Sequence, residues 1–354
     1  MSKFNINILT YFLVAFVALA VWQCNPEPPK QDTTTMTIPE SKPRANQRKV
    51  PKFEQDSAYA HIQKQVSFGP RVPNMEGHKA CKAWLVSKLK SYKATVIEQD
   101  FTADSYYGVT YNGTNIIAQY NPDETERICL AAHWDTRYMG DQDDDAAMQK
   151  KPIDGADDGG SGVGVLLEIA RLIGENGIDI GVDIILFDAE DNGSSSDEIT
   201  TKAQFEANQE TWCLGSQYWG KNPHTPNYKA KYGILLDMVG AKGARFPIEG
   251  HSASTPERAA VVDKVWGLAK TMGFANYFVP KRGKTITDDH FFVMKYRGFP
   301  MIDIINVSES TTQTFGSHWH THDDNVDVID PRTLKAVGRV VTATVYRENN
   351  GTLK

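Results

Sequence analysis

The residues best suited to chemistry in this chain lie in four short segments rich in acids and histidines. They are, in chain order, HWD at 133–135, GADDGGSG around Asp158, FDAED with Glu190 and Asp191 at its end, and HWHTHDDN around His320. Zinc takes nitrogen and oxygen ligands, and catalytic sites keep one position open, so an Asp, a second carboxylate and a His are a sufficient set. The segments together predict a zinc site, with Glu190 beside Asp191 as a proton carrier.

Each segment also has a purely structural interpretation. The glycine-rich segment is compatible with a turn into a helix, with Asp157 or Asp158 as the cap and glycines supplying unusual backbone angles. Adjacent acids after a strand are often a solvated turn. In HWHTH, a strand would place His318, His320 and His322 on one side, so the pattern leaves open which of them faces a metal.

The elements that must position these segments alternate between strand and helix patterns. Helical periodicity covers 57–66 and 77–92, β-rich runs follow at 95–102, 114–120 and 128–133, and the later helices are near 255–272 and 331–347. Between them, VGVLLEIARLI predicts a helix, while VDIILFD and YGILLDMVG predict strands. We therefore expect a three-layer α/β/α fold with a central mixed, largely parallel twisted sheet covered by helices.

Three residues that could bind a metal or transfer a proton come directly after hydrophobic strands. His133 follows ICLAA, Glu190 follows the strand DIILF, and Asp237 follows ILL. Ligands of open α/β sheets bind outside the carboxyl ends of the strands. We expect these three strand ends to converge on one site.

Composition excludes several classes of protein. The 354 residues include 40% hydrophobic and 23% charged residues, enough for one sizeable core, and the net charge of −6 argues against nucleic-acid binding. The four cysteines are too few and scattered for a disulfide framework or a cysteine zinc site, although Cys129 and Cys213 would pair if the fold brought them together. The acidic stretch from Asp141 to Asp145 predicts a solvated turn, with calcium binding as a second possibility.

The N-terminus predicts export. Residues 1–24 have the pattern of a signal peptide, with an apolar run at 8–21 too short for a typical membrane span. Ala18-Leu19-Ala20 is an ordinary cleavage site, whereas the residues before Cys24 loosely resemble a lipobox. The Pro-, Thr- and Lys-rich stretch 25–51 suits a flexible tether to a single catalytic domain at 52–354. We expect a periplasmic lipoprotein anchored through Cys24, with a soluble periplasmic protein as the alternative.

Six motifs agree in order with a known superfamily. H-x-D, G-A-x-D, E-D, L-D-M, D-D-H and W-H-T-x-D-D-N, spread from 129 to 327, resemble the zinc-dependent exopeptidases of the M28 type and, within them, the glutaminyl-peptide cyclotransferases. The resemblance implies one zinc ion and cyclisation of an N-terminal glutamine of peptides or proteins to pyroglutamate with release of ammonia. The roles it implies are zinc ligand for Asp158, Asp191 and His320, proton carrier for Glu190, and acid-sharing network for Asp237 and Asp288.

The resemblance also points to substrate-binding residues and to departures from the family. Phe315 and Trp319 are expected to wall the pocket. The segment after 191 lacks an aromatic that animal relatives place near the pocket, and Trp212 or Trp219 would substitute for it. Asp191 stands where many relatives carry Glu, so its shorter side chain needs the backbone closer to the metal.

Two rival functions remain at this point. One is an aminopeptidase of the same superfamily with two zinc ions, for which every ligand type is present, so ligand identity does not separate the two enzymes. Its ligands would be His133, Asp158, Asp191, Asp237 and His320. The D-D-H segment at 288–290 and the aromatic residue before His320 favour the cyclotransferase. The other rival is a non-catalytic surface lipoprotein on an exopeptidase-like fold. The sequence leaves the oligomeric state unknown.

Overall fold

The computed structural model describes residues 47–194, 200–308 and 313–354. The predicted signal peptide and most of the predicted tether lie outside these ranges. From Arg48 onward the chain contacts the domain, because Arg48 pairs with Asp179 and its backbone N–H donates to Asn350. Within the described ranges, no helix is long and apolar enough to cross a membrane.

Strands and helices alternate through the described chain. The helices are α1 (Gln55–Val66), α2 (Glu76–Ser91), α3 (Gly160–Asn176), α4 (Lys202–Gln209), α5 (Leu214–Lys221), α6 (Pro256–Thr271), α7 (Asp289–Arg297) and α8 (Pro331–Asn349). The strands are β1 (Thr95–Asp104), β2 (Thr110–Tyr120), β3 (Arg127–His133), β4 (Gly181–Phe187), β5 (Gly233–Asp237), β6 (Phe246–Ile248), β7 (Phe278–Arg282) and β8 (Met301–Ile305).

The main sheet has six strands in the order β1-β2-β4-β3-β5-β8. The β1–β2 and β2–β4 pairs are antiparallel, whereas β4, β3, β5 and β8 run parallel to one another. The expected mixed sheet with a parallel centre is therefore confirmed. A separate two-stranded parallel sheet joins β6 to β7.

Helices cover both faces of the sheet, and the alternation of side chains along β3 shows how. Leu130 and Ala132 belong to the large core formed with α1, α3 and α8, whereas Cys129 and Ala131 pack in a second core with residues of α5 and α7. Successive strand residues point to opposite faces, so a continuous apolar run such as ICLAA suits a strand buried on both sides. The fold has the expected three layers.

Candidate active site

The carboxyl ends of three neighbouring parallel strands meet at one edge of the sheet. His133 is the last residue of β3 and pairs with Phe187, the last residue of β4. Ala131 pairs with Leu235 on the other side, which brings Asp237, two residues further along β5, to the level of His133. The convergence expected from the sequence is thus confirmed.

A sharp turn after β4 presents the tandem acids. Ala189 has a φ of 54°, a left-handed conformation that costs a non-glycine residue roughly 1–2 kcal/mol. The turn is held by Asp135, whose carboxylate accepts the backbone N–H groups of Glu190 at 3.0 Å and Asp191 at 3.3 Å. The aspartate of the H-x-D motif therefore fixes the backbone of the E-D motif.

The loop that carries Asp158 is held in the same manner. The carboxylate of Asp324 accepts the backbone N–H groups of Asp157 at 2.7 Å and Asp158 at 3.0 Å. Gly159 follows with a φ of 77°, and a Cβ there would lie 2.8 Å from the His133 ring. The loop is both a turn into α3 and a carrier of a site residue, but the prediction of Asp157 or Asp158 as the helix cap is wrong, because the N-cap is Gly159, which has no side chain to cap the helix.

Asp158, Asp191 and His320 form a buried group whose ligand atoms all lie within 4.8 Å of one another. His320 Nε2 is 2.9 Å from Asp191 Oδ1 and 3.8 Å from Asp158 Oδ2. Asp191 Oδ2 is buried without a hydrogen-bond partner among the described residues. Two carboxylates and one imidazole leave a tetrahedral zinc ion one open position, so this donor set fits catalytic zinc.

A second group shares Asp158 with the first. His133 Nε2 lies 3.0 Å from Asp158 Oδ1 and 3.2 Å from Asp237 Oδ1, which makes these three residues another possible metal site. Burial lowers the pKa of His133, but hydrogen bonds to the surrounding carboxylates outweigh it and hold that pKa well above its ordinary value.

Glu190, Asp288 and Cys213 meet on the other side of His133. One side-chain atom of each lies within 4.8 Å of the others, and the Cys213 thiol donates to Glu190 Oε1 at 3.1 Å. Burial raises the pKa of Glu190 well above its ordinary value, and the charges of Asp288 and Asp191 add to the rise. Burial likewise raises the pKa of Asp237 and of Asp288. The expected acid cluster is present around Glu190.

The five acids of these groups and His320 border one cavity of about 670 Å³, whereas His133 and Cys213 lie behind its lining. Its aromatic wall is formed by Phe315, Trp319 and Trp212, the three residues predicted to bind substrate. Trp319 stacks on His320 with ring centroids 3.6 Å apart and contacts Phe315 at 4.8 Å. Trp212 stacks parallel to His320 from 6.1 Å.

The structure also shows which of the three histidines of HWHTH borders the cavity. His318 Nε2 lies 2.9 Å from Asp157 Oδ2, and His322 Nδ1 lies 2.6 Å from Asp143 Oδ2, so both are paired outside the cavity. Only His320 borders the cavity. His320 has a φ of 57°, so this segment is a turn and not the strand that a regular spacing would suggest.

The structure resolves two points that the sequence left open. Trp219 is fully buried against Phe187 and Tyr228, so it cannot replace Trp212 at the pocket. Cys129 and Cys213 are separate buried thiols. Cys129 lies within the sheet and Cys213 beside Glu190, which explains why they do not pair.

The acidic stretch is a turn with exposed Asp144 and Asp145, as predicted, but its first residue faces the cavity and not the solvent. Asp141, its first residue, has a side chain only 12% exposed, borders the cavity and pairs with the buried Arg137. Sequence reasoning missed Arg137, Asp135 and Asp324. His133, Asp135 and Arg137 are spaced two residues apart, and that spacing, which begins in HWD, was the available signal.

The family model for "Peptidase family M28" matches residues 115–345, which is well over half of the chain. The chain belongs to peptidase family M28. The matched region contains every candidate site residue described above. The zinc dependence of this family agrees with the donor set of Asp158, Asp191 and His320.

Individual relatives refine this membership. The chain is 49% identical to Porphyromonas gingivalis glutaminyl cyclase, over 82% of this chain and 96% of that one, with a TM-score of 0.77. It is 45% identical to a leucine aminopeptidase precursor from Bacteroides thetaiotaomicron, over 84% of this chain and 99% of that one, with a TM-score of 0.78. The glutaminyl-peptide cyclotransferase of Bos taurus is 24% identical over 302 residues, which are 78% of this chain and 77% of that one. The M28 chain is thus similar to proteins named for both enzyme activities.

Proposed function

We propose that this protein is a zinc-dependent glutaminyl-peptide cyclotransferase that converts N-terminal glutamine of peptides or proteins to pyroglutamate. The observation that carries the proposal is the division of one cavity into two halves. Asp158, Asp191 and His320 are the metal half, and Glu190 with Asp288 is the acid half, while Asp237 borders the same cavity beside His133 and Asp158. The similarity to named glutaminyl cyclases at 45–49% identity supports the same activity.

The reaction requires the α-amine of the glutamine to attack its own side-chain amide carbon. A new C–N bond closes the ring, and the bond from that carbon to the amide nitrogen breaks to release ammonia. The attacking amine must lose a proton and the leaving nitrogen must gain one. A single carboxylate between the two nitrogens can perform both transfers, first as base and then as acid.

Glu190 is the residue placed for these transfers. Its side chain borders the cavity beside Asp191, and its backbone is fixed by Asp135. Burial raises the pKa of Glu190, and the charge of the neighbouring Asp288 adds to the rise; burial also raises the pKa of Asp237, which borders the same cavity. These two acids therefore share the proton that Glu190 takes from the amine.

Asp158, Asp191 and His320 are the residues that would hold zinc. When bound there, zinc supplies Lewis acidity that makes the amide carbon more electrophilic and stabilises developing negative charge. Phe315 and Trp319 limit the access of water at this side of the cavity. Limiting water favours the intramolecular amine over hydrolysis.

The test is mass spectrometry of a peptide that begins with glutamine, incubated with the protein with and without a zinc chelator. We expect loss of ammonia alone, its disappearance with the chelator, and its return when zinc is restored. The same peptide beginning with alanine is the control and should stay unchanged. Loss of ammonia at full rate in the thoroughly chelated protein would refute the zinc dependence.

An aminopeptidase is the second candidate, and the group of His133, Asp158 and Asp237 favours it, because it offers a second metal position bridged by Asp158. Such an enzyme would remove the whole first residue from either peptide. The mass of the product therefore separates the two activities. A non-catalytic lipoprotein would leave both peptides intact and retain no zinc.

We further propose that the chain is exported and anchored through a lipid on Cys24, as its first 24 residues suggest. The support is the apolar run at 8–21, the cysteine that follows it and the polar stretch up to residue 51. Metabolic labelling with a fatty acid, compared between the native chain and Cys24→Ala, tests the anchor. Equal labelling of both, or none of either, would contradict it.

A further inference from the structure

Arg137 is a buried cation beside the metal half of the cavity. Its side chain is fully buried, and Nε and Nη2 donate to the two carboxylate oxygens of Asp141 at 2.8 and 3.0 Å. Its remaining nitrogen, Nη1, donates to the backbone carbonyls of Asp191 at 2.9 Å and Gly193 at 3.3 Å. The guanidinium lies 4.8 Å over the ring of Trp212. One side chain thus contacts a candidate ligand's backbone and the aromatic wall.

Asp141 extends this arrangement to a second ligand. Its Oδ1 lies 3.1 Å from His320 Nδ1, within ion-pair distance, although the angle is not that of a straight hydrogen bond. The other imidazole nitrogen, Nε2, faces Asp191 Oδ1 at 2.9 Å. An acceptor at Nδ1 favours the tautomer that leaves Nε2 free to bind a metal.

The requirements at Asp191 match what Arg137 provides. Aspartate is one methylene shorter than glutamate, so its backbone must sit closer to the metal than a glutamate backbone would. Arg137 holds the Asp191 carbonyl and, through Asp141, the His320 ring. A lysine could not replace it, because the planar guanidinium alone can bind a carboxylate with two nitrogens and a carbonyl with the third.

We propose that Arg137 and Asp141 are positioning residues of the metal site, which set the spacing between Asp191 and His320 and the tautomer of His320. This inference rests on the zinc binding in the proposed function and names residues that set the affinity for it. Carboxylates that orient a metal-bound histidine typically contribute 10- to 100-fold to metal affinity.

The same loop supplies a matched control. Asp143 lies two residues after Asp141 and pairs with His322 Nδ1 at 2.6 Å. The His322 side chain is 26% exposed and does not border the cavity, whereas His320 is 1% exposed and does. Both pairs tie the loop to HWHTH, but only the first involves a candidate zinc ligand.

The experiment measures the zinc dissociation constant of the full-length protein by competition with a chelator of known affinity. The variants are Asp141→Asn and Asp143→Asn, each also assayed for cyclisation and for the midpoint of thermal unfolding without metal. We expect Asp141→Asn to bind zinc about 10- to 100-fold more weakly and Asp143→Asn to stay within about twofold of the native value. Asp141→Asn should also lose more metal-free stability than Asp143→Asn, because it leaves the buried Arg137 without its carboxylate, so zinc affinity is compared only between folded proteins.

Arg137→Lys is the second variant. It keeps the positive charge beside Asp141, and it still tests the inference if Asp141→Asn does not fold. It should also weaken zinc binding, because it loses the paired contacts to Asp141. Native affinity in folded Asp141→Asn and Arg137→Lys, or equal weakening in Asp143→Asn, would overturn the inference. A native protein that binds zinc without cyclising glutamine would overturn the proposed function alone, and one that binds no zinc would overturn both.

Discussion

Two parts of the sheet bury carboxylates in opposite ways. Asp183, inside β4, accepts hydrogen bonds from Arg127 Nε at 2.7 Å, Tyr228 Oη at 2.6 Å and Gln119 Nε2 at 3.0 Å. Seven residues later the chain reaches Glu190, which contacts a thiol and a histidine but has no such set of donors among the residues that the structure describes. The first charge is compensated by the protein. The second has no such compensation, and burial raises the pKa of Glu190 well above its ordinary value.

This difference separates structural from functional acids. An uncompensated buried charge is costly, so a fold keeps one only where surrounding contacts enforce it. At the cavity edge Ala189, Cys213, Met238 and His320 all have left-handed backbones, which adds a local cost in the same place. The edge of the sheet at the cavity therefore carries energetic costs that are absent around Asp183 in its middle.

The largest expected effect comes from removing the proton carrier. Glu190→Gln should lower turnover of a glutaminyl peptide by about 10²- to 10⁴-fold, since general acid–base catalysis contributes that much. Zinc content should stay near native, because the amide has the same shape and keeps the Asp135 contact at its backbone. The metal-free unfolding midpoint at neutral pH should rise, because a buried acid with a raised pKa has been removed. Ammonia release measures the turnover, and elemental analysis measures the zinc content. An active variant would refute the assignment of Glu190.

Breaking the compensated pair should affect stability instead. Arg127→Met leaves Asp183 buried without its cation and should lower the free energy of unfolding by about 3–5 kcal/mol. Turnover per folded molecule should not change, because Arg127 lies far from the cavity edge of β3. Denaturant unfolding measures the effect. A second change, Asp183→Asn, should restore part of the loss, and a further decrease would argue against charge compensation.

Neutralising an acid in the uncompensated region should have the opposite sign. Asp288→Asn keeps a good N-cap for α7 and removes a carboxyl whose pKa is raised by burial. Ionising such a group costs the folded state about 1.4 kcal/mol per unit of pKa shift. Metal-free Asp288→Asn should therefore be more stable than the native chain at about pH 7 and equal to it well below the ordinary aspartate pKa. Turnover should fall.

Unfolding measured across that pH range checks the sign. Lower stability of Asp288→Asn at neutral pH would show that the carboxylate is compensated by a partner. The comparison with Asp183 would then fail.

The smallest effect is expected at the aromatic wall. Trp212→Ala should raise the Michaelis constant of a glutaminyl peptide by about three- to tenfold, because an aromatic contact contributes about 0.5–1.5 kcal/mol beyond its buried area. Steady-state kinetics measure it. Trp84→Ala, a partly buried tryptophan packed on the main core, is the control. An unchanged Michaelis constant in Trp212→Ala would remove that residue from the binding site.

Much of the site was predictable because strand ends are local features. His133, Asp237 and Glu190 each follow an apolar run, and parallel strands deliver their carboxyl ends to one edge whatever the details of packing. By contrast, the short strand β8 and the helix α7, which carries Asp288 at its cap, were not predicted as elements. Each spans nine residues or fewer, where periodicity is weak.

The sequence by itself determined the fold class, the convergence of the strand ends and the residue types of the site. Only the tertiary structure decided which histidine faces the cavity, which tryptophan lines it, and that Arg137 and Asp141 stand behind the ligands. The physical reason is the separation along the chain of the residues that determine each property. Hydrophobic periodicity is set by neighbours along the chain, whereas the partner of a buried charge is set by residues that lie far apart in sequence.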